Sequence, residues 1–467
     1  WGEHGKGYRG AYAPEVLGPR IYAAMCRVKA VFDPFGLLNP GKIAAPDSTA
    51  PLIAIEGLSF RGTVDATITP EHLDGFEKAM RCNGNGQCFN LSRDEAMCPS
   101  YKATGDRRHS PKGRAALLRE WLRMRAQGKE VSPFIEEVHT SLASCLSCKA
   151  CASTCPVKVD IPDMRSRFLE QYYTTRRRPI RHHVLAGMES LAPLMRVAPK
   201  LANAAIALAS PASRRLGLID LPEVSTAGAG ASMSKGGRRV LLLADSFLAT
   251  FDGQVVDAAV RLLTRYGYRV TVSPVLPNGK ALAVMGFRKR FERVAQSRHR
   301  RLARLVRNHE AVIEIEPAVH DMNGSEYARL GVRCENLTSL DLFLAEELAS
   351  GRLEPAKLVN QSTWQFFSHC TEIATDLQVP RRWKDIFEAF GLGLQYIPTG
   401  CCGMAGFFGH EAANQSISRR LFDMTWKEPL ESAGARSVAT GFSCRCQAER
   451  FGGHRPRHPI EVLAEAT

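Results

Sequence analysis

Apolar positions along this 467-residue chain follow different rhythms on either side of a run of small residues, "PEVSTAGAGASMSKGGRR", around 222–238, which reads as a linker. Beyond it, "RRVLLLADSF" has the continuous apolar pattern of a buried strand. "GQVVDAAVRLLTRYG" then repeats apolar residues at helical spacing and closes at Gly267, before "YRVTVSPV" returns to a strand. The order recurs: "STWQFFSHC" reads as a strand, "RRWKDIFEAFG" as a helix closed by Gly391, and "LGLQYIP" as a strand. "TGCCGMAGFFGHE" leads into another helix and the strand "SVATGFSC". Repeated strand–helix–strand units predict parallel α/β structure.

Before the linker, helices are expected. Ser110-Pro111 reads as N-cap and first residue of a helix ending near Gly128, with Leu118 and Leu122 on one face. The stretch "LAPLMRVAPKLANAAIALAS" is broken by Arg196, Lys200 and two prolines, too often for a membrane span. It is expected as a helix packed on the core, with a helix resting on a membrane surface as the alternative.

Length and composition, with 45% hydrophobic and 23% charged residues, are those of several soluble globular domains. The net charge of +15 gathers in "RRRPIRHH" and "FRKRFERVAQSRHRRLARLVR". Such runs read first as solvated helix faces, and second as attraction to an acidic partner or an anionic membrane. No nucleic-acid-binding motif accompanies them. Most of the fourteen cysteines are clustered, which speaks for metal ligation in a reducing, cytoplasmic setting rather than for disulfides. The chain opens at Trp1 inside a motif, so an upstream segment is expected.

The densest cluster is "SCLSCKACASTCP", with Cys145, Cys148, Cys151 and Cys155 at the Cys-x2-Cys-x2-Cys-x3-Cys-Pro spacing of a bacterial ferredoxin. Two-residue gaps let a loop wrap a cubane and converge on its irons. A structural zinc would prefer two Cys-x2-Cys pairs with a longer insert. Because the last cysteine of such a run ligates the other cluster, a partner run is expected, and "RCNGNGQCFNLSRDEAMCP" supplies Cys82, Cys88 and Cys98. Cys98 then completes the set of Cys145, Cys148 and Cys151. Cys82, Cys88 and Cys155 leave three thiolates, with Asn85 where a fourth would stand. That site is read as a three-iron cluster, a cubane whose fourth iron takes Asn85, water or a distant residue, or an empty site.

A second cysteine set lies at predicted strand ends: Cys370, Cys401, Cys402 and Cys444. Asp245 to Pro277 spans 32 positions and Cys370 to Cys401 spans 31; Pro277 to Ala318 spans 41 and Cys401 to Cys444 spans 43. These spacings suggest a duplication in which Asp245, Pro277, Asn278 and Ala318 stand where the second copy keeps its ligands. Crevices in parallel sheets open at the carboxyl ends of strands, where these residues fall. Cys446 is a fifth ligand or a bystander; Cys26 and Cys334 are isolated and read as structural.

The pattern Cys-x30-Cys-Cys-Gly-x40-Cys resembles the cysteine-rich "CCG" domain of heterodisulfide reductase and of the iron–sulfur subunits of glycolate, lactate and glycerol-3-phosphate dehydrogenases. "WGEHGKGYRG" and "VFDPFGLLNPGKI" resemble the end of the C-terminal domain of vanillyl-alcohol-oxidase-type flavin-linked oxidases. With "RCNGNGQCFN", "RRHSPKGRA", "LPNGKA" and "GCCGMAG", the whole chain resembles the family of large bacterial FAD- and iron–sulfur-containing D-2-hydroxyglutarate dehydrogenases and fused D-lactate dehydrogenases.

The resemblance implies a divalent-metal ligand at Glu3, a base at His4 that takes the hydroxyl proton, and Asn39 and Lys42 beside flavin or substrate. It implies [4Fe-4S] clusters and FAD, with the flavin-binding domain upstream and this chain inactive without it. The substrate would be a small 2-hydroxy acid, and the acceptor a quinone, a cytochrome or an electron-transfer flavoprotein. A stand-alone electron-transfer subunit or a heterodisulfide-reductase-like protein is the competing reading. Expected domains are 1–50, tail of the flavin-linked oxidase domain; 70–180, a helical two-cluster ferredoxin-like domain; 181–238, helical connector and linker; 239–350, a degenerate half; and 360–467, the cysteine-rich half. The last two would form a duplicated parallel α/β, Rossmann-like domain, so the fold class is α/β and α multidomain. Location is expected to be cytoplasmic, with peripheral contact to the inner face of the cell membrane.

Overall fold

A computed structural model describes residues 8–46, 52, 61–92, 95–227, 237–355 and 362–466. Glu3 and His4 lie outside the described residues. The chain divides into two compact units, Trp1–His72 and Leu73–Thr467.

The first unit is built on a helix, Ala13–Phe32, kinked at Gly18-Pro19. At its end the carboxylate of Asp33 accepts the amides of Leu37 and Leu38, both at 2.8 Å, and pairs with Lys29. These bonds fold "DPFGLLNPGK" into a tight loop. Asn39 is exposed in it with φ +46°, and Lys42 is half-buried.

The second unit begins with helices. As the sequence predicts, the Ser110 hydroxyl accepts the Gly113 amide at 3.0 Å and caps a helix, Pro111–Ala126. Leu118 and Leu122 are buried on it, and Trp121 meets Phe76 and Phe168 edge-on at 5.5 and 5.2 Å. Further along, the single core-packed helix expected around 191–210 becomes two. Ile180–Val197 buries Leu185, Ala186, Met188 and Ala192, while Pro199–Arg215 has no fully buried residue and turns only the half-buried Ala202 and Ile206 onto the core. Leu194, Val197, Leu201 and Leu208 are 70% to 83% exposed. The break falls at Ala198, extended just before Pro199, whose ring disfavours the helical region for its predecessor.

Two parallel sheets follow. The first has strands β1 (Arg239–Leu243), β2 (Arg269–Val272), β3 (Ala311–Glu314) and β4 (Leu337–Ser339) in the order β2-β1-β3-β4. The second has β5 (Thr363–Phe367), β6 (Gly393–Tyr396) and β7 (Ser437–Ala439) in the order β6-β5-β7. In each, the first strand is central: Val240 pairs with Val270 and Ala311, and Phe366 pairs with Tyr396 and Val438. A single parallel bridge from Val438 to Arg457 stands where β4 stands in the first sheet. One core spans both, joining Leu242, Ile313 and Leu344 to Phe366, Trp383 and Ile460.

The basic helix Arg288–Arg307 is mostly a solvated face, as read from sequence, with Phe291, Ala295, Arg298 and Leu302 turned inward. Parts of "RRRPIRHH" are spent on internal pairs: Arg176 with Glu136 at 2.8 Å and Arg181 with Glu411 at 3.0 Å.

Candidate metal centres

The loop 144–155 turns on Ser147 (φ +54°) and Lys149 (φ +61°), and Cys98 has φ +54°. Left-handed conformations in residues other than glycine cost about 1 kcal/mol or more each, and such strain concentrates at functional sites. Cys98, Cys145, Cys148 and Cys151 lie within electrostatic reach of one another, and Cys98, Cys145 and Cys151 are buried. Burial, and then the neighbouring thiols, push Cys148 and Cys151 well up.

Buried cations attend them. Arg114 donates to Ser100 Oγ at 2.9 Å, Ser144 Oγ at 2.8 Å and the Ser141 carbonyl at 3.0 Å, with Nη1 3.9 Å from Cys98 Sγ, while Lys102 neighbours Cys98 and Cys148, and Arg165 neighbours Cys145. Thiols are soft donors for iron, and the chemistry of the set fits an iron–sulfur cluster. Among the described residues no three of His, Cys, Asp or Glu converge as ligands of a single ion would. Thiolates on separate irons of a cubane stand farther apart than that.

The Lys149 ammonium, between two of these cysteines, reaches into the first α/β half, bonding Asp321 at 2.5 Å, Ser325 at 2.6 Å and the Glu326 carboxylate. Cys82, Cys88 and Cys155 are buried too, and Cys88 and Cys82 are electrostatic neighbours. Asn85 is exposed; its carbonyl accepts the Gln87 amide at 3.0 Å and its amide donates to Asn83 at 2.9 Å, so its side chain serves the turn.

In the second sheet, Cys370 is the first residue of a helix, Cys370–Thr375. His369 caps it: its Nδ1 accepts the Thr371 amide at 3.2 Å, while Glu372 accepts the His369 amide at 2.9 Å. The Glu372 carboxyl, raised to about 8 by burial and then by Asp341, also accepts the hydroxyls of Thr440 and Ser368. Cys401 and Cys402 follow β6, and Cys444 lies on the helix Phe442–Gly452. Cys370 neighbours Cys401, Cys401 neighbours Cys402, and Cys402 neighbours Cys444, with these thiols and burial raising one another. At Gly441 a Cβ would stand 2.3 Å from His369 Cδ2 and 3.2 Å from Cys444 Sγ, so only glycine lets the two approach. Cys446 packs against the cluster holding Cys402 and Cys444, with Arg455 and Asp252 as charged neighbours, and burial holds its thiol up at about 11.

The two thiol groups face each other. Cys370 is the strongest electrostatic neighbour of Cys148, and Leu146 and Ala103 pack with Cys401 and Phe408. A cavity of about 320 Å³ borders both, with Cys145, Cys148, Cys370, Cys401 and Cys402 on its wall.

The strand ends correct the residue pairing drawn from spacing alone. Pro277 and Asn278 follow β2 as Cys401 and Cys402 follow β6, each pair preceding a left-handed glycine, Gly279 (φ +79°) or Gly403 (φ +91°). At the other two positions the structure shifts the match by one. Asp245 is the N-cap after β1 as His369 is after β5, so Ser246 answers Cys370. Glu316 and Gly441 are the N-caps after β3 and β7, so Val319 answers Cys444. Counting between cysteines cannot see a one-residue difference in loop length; the caps reveal it.

The sequence reading missed Arg114, Lys149, His369 and Glu372. Only the last two left a local signal, a capping residue with glutamate three positions on.

Residues 1–43 match the family profile described as FAD linked oxidases, C-terminal domain, and residues 78–159 match the 4Fe-4S dicluster domain. These define an iron–sulfur protein with a flavin-linked oxidase portion. Over its whole length the chain is 36% identical to D-2-hydroxyglutarate dehydrogenase of Escherichia coli K12 and 35% identical to that of Pseudomonas putida KT2440, in each case 51% of the relative. It is 24% identical to the glycolate oxidase iron-sulfur subunit of Escherichia coli K12, over 81% of this chain and 93% of that one. The chain is thus a homologue of bacterial D-2-hydroxyglutarate dehydrogenases, and spans about half the length of those curated relatives. No solved structure matches it.

Proposed function

We propose that this chain is the electron-carrying part of an FAD-dependent D-2-hydroxyacid dehydrogenase that oxidises D-2-hydroxyglutarate or D-lactate to the 2-oxo acid. The observation that carries the reading is the facing of Cys148 and Cys370, which sets two thiolate groups side by side as stations for electrons. Cys98, Cys145, Cys148 and Cys151 would hold one [4Fe-4S] cluster; Cys82, Cys88 and Cys155 would contribute to a second; Cys370, Cys401, Cys402 and Cys444 would hold a further iron–sulfur group. When bound, FAD would accept the hydride and the clusters would store single electrons. This chain's residues would bury those groups, exclude water and place Arg114 beside Cys98. His4 would take the hydroxyl proton, Glu3 would hold a divalent cation, and Asn39 and Lys42 would approach flavin or substrate.

We assign the domains as 1–50, 70–180, 181–238, 239–350 and 360–467, the last two as copies of one Rossmann-like unit. Matching strand orders and cap positions support the duplication. So does reciprocal packing, in which the helix Gly253–Arg265 meets Pro459–Glu465 while Leu340–Ala349 meets Val379–Ala389.

No helix among the described residues is long and apolar enough to cross a membrane. The exposed Leu194, Val197, Leu201 and Leu208 beside Arg196 and Lys200 support cytoplasmic placement with peripheral contact to anionic lipid. Co-flotation with anionic vesicles, lost on L201E/L208E, tests that contact.

For the main reading, the full-length protein is purified without air and assayed for iron and acid-labile sulfide. D-2-hydroxyglutarate or D-lactate should bleach its brown colour. A colourless protein with stoichiometric zinc would refute it.

A further inference from the structure

A short helix packs against both thiol groups. Pro99–Thr104 starts directly after Cys98, and Lys102 lies one turn on, its amide bonded to the Cys98 carbonyl at 3.2 Å. Residues four apart share a helix face, so the lysine and the thiol project to the same side. The next residue, Ala103, packs in one cluster with Leu146 of the loop 144–155 and with Cys401 of the second group.

Lys102 is only 9% exposed, and its ammonium is held inward by the carbonyls of Ser92, at 2.7 Å, and Glu95. Burial pushes that ammonium below its usual range, while Glu95 and then Cys98, Cys148 and Cys401 pull it back. Its electrostatic reach thus spans both groups. Arg114 and Arg165 serve the first group, lying beside Cys98 and Cys145. Burying an ammonium is unfavourable in itself. Beside a cluster that accepts an electron, the same charge stabilises the reduced form and raises the reduction potential.

We infer that Lys102 is a charge shared by the two iron–sulfur groups, raising both potentials together so that the step between them stays shallow. The inference rests on the reading of both thiol groups as cluster sites. Lys102 is a positioning residue for charge: it sets the energy of an electron on either group and transfers neither proton nor electron itself.

The test reads potentials rather than turnover. Full-length protein is purified without air, assayed for iron, and titrated with dithionite while electron paramagnetic resonance follows each reduced cluster. Lys102→Gln keeps an amide donor for the carbonyls and removes the charge. It should lower both midpoint potentials, each by about tenfold in the one-electron equilibrium constant, or about 59 mV. Lys102→Arg, which keeps the charge, should leave both near those of the unaltered protein. Glu95→Gln leaves the lysine in place and removes a negative charge from a half-buried position, so both potentials should rise. That variant decides the matter if Lys102→Gln does not fold. A fall confined to one cluster, equal falls in the Gln and Arg variants, unchanged potentials in iron-replete Lys102→Gln, or no rise at both clusters in Glu95→Gln would overturn the proposal. Protein without iron would count against the cluster reading alone.

Discussion

The two α/β halves share a scaffold and differ in what they put at the strand ends. In the second half those positions carry neighbouring thiols. In the first they are closed by polar groups: Asp245 accepts the Phe247 and Leu248 amides and the Asn278 amide, while Glu189 accepts the Gly279 and Ala281 amides. The first half has also become a support for the second. Glu316 accepts the Phe442 amide at 3.0 Å, taking the cap role that Gly441 cannot fill on the Cys444 helix. Asp252, wholly buried, pairs with the equally buried Arg445 of that helix. A strand end makes a place; a few side chains decide whether it holds metal or holds a neighbour.

The sharpest test of that contrast exchanges matched residues. Cys402→Ala should cost the full iron and sulfide of one cluster, about four irons if it is a cubane, by chemical assay. Its counterpart Asn278→Ala should retain all of it, and equal losses would erase the distinction. Next in size, Asp252→Leu should destabilise the protein by about 3–5 kcal/mol in denaturant titration, because it leaves the Arg445 guanidinium buried and unpaired. Adding Arg445→Met should recover much of that loss.

A smaller effect is a dependence on pH. Burial raises Glu189 and Glu316 to about 7, and Glu314 to about 8, from an ordinary 4.5. The folded chain keeps protons there that the unfolded chain has released, so stability should fall as pH rises from about 4.5 to about 8 and level off above. Glu314→Gln should flatten that slope in melting curves. Smallest is a change outside both halves: Ser110→Ala, which removes one helix cap, should cost about 1 kcal/mol in denaturant titration.

Much of this was legible in the chain. The helix from Pro111 declared itself by its cap and its apolar face, and each α/β unit by buried runs alternating with helices closed at glycine. The run from Cys145 to Cys155 stood out because the spacing of thiols in one loop is a local property. The segment 191–210 was legible only in part: one face packs on the core, but the break at Pro199 and the uncovered leucines were not foreseen, because an apolar pattern records what a helix can bury and not whether anything comes to cover it. The pairing of the halves was off by one at two of its four positions for a related reason, since distances between motifs blur where loops differ in length.

Local patterning, then, determined by itself that the C-terminal half is built of parallel strand–helix units, because short-range geometry constrains them. Only the tertiary structure decided that Cys148 faces Cys370, that Arg114 lies beside Cys98, and that Glu316 and Asp252 brace a helix more than a hundred residues away. Those contacts join segments far apart in the chain. Their positions follow from how the whole core packs, which no single stretch of sequence encodes.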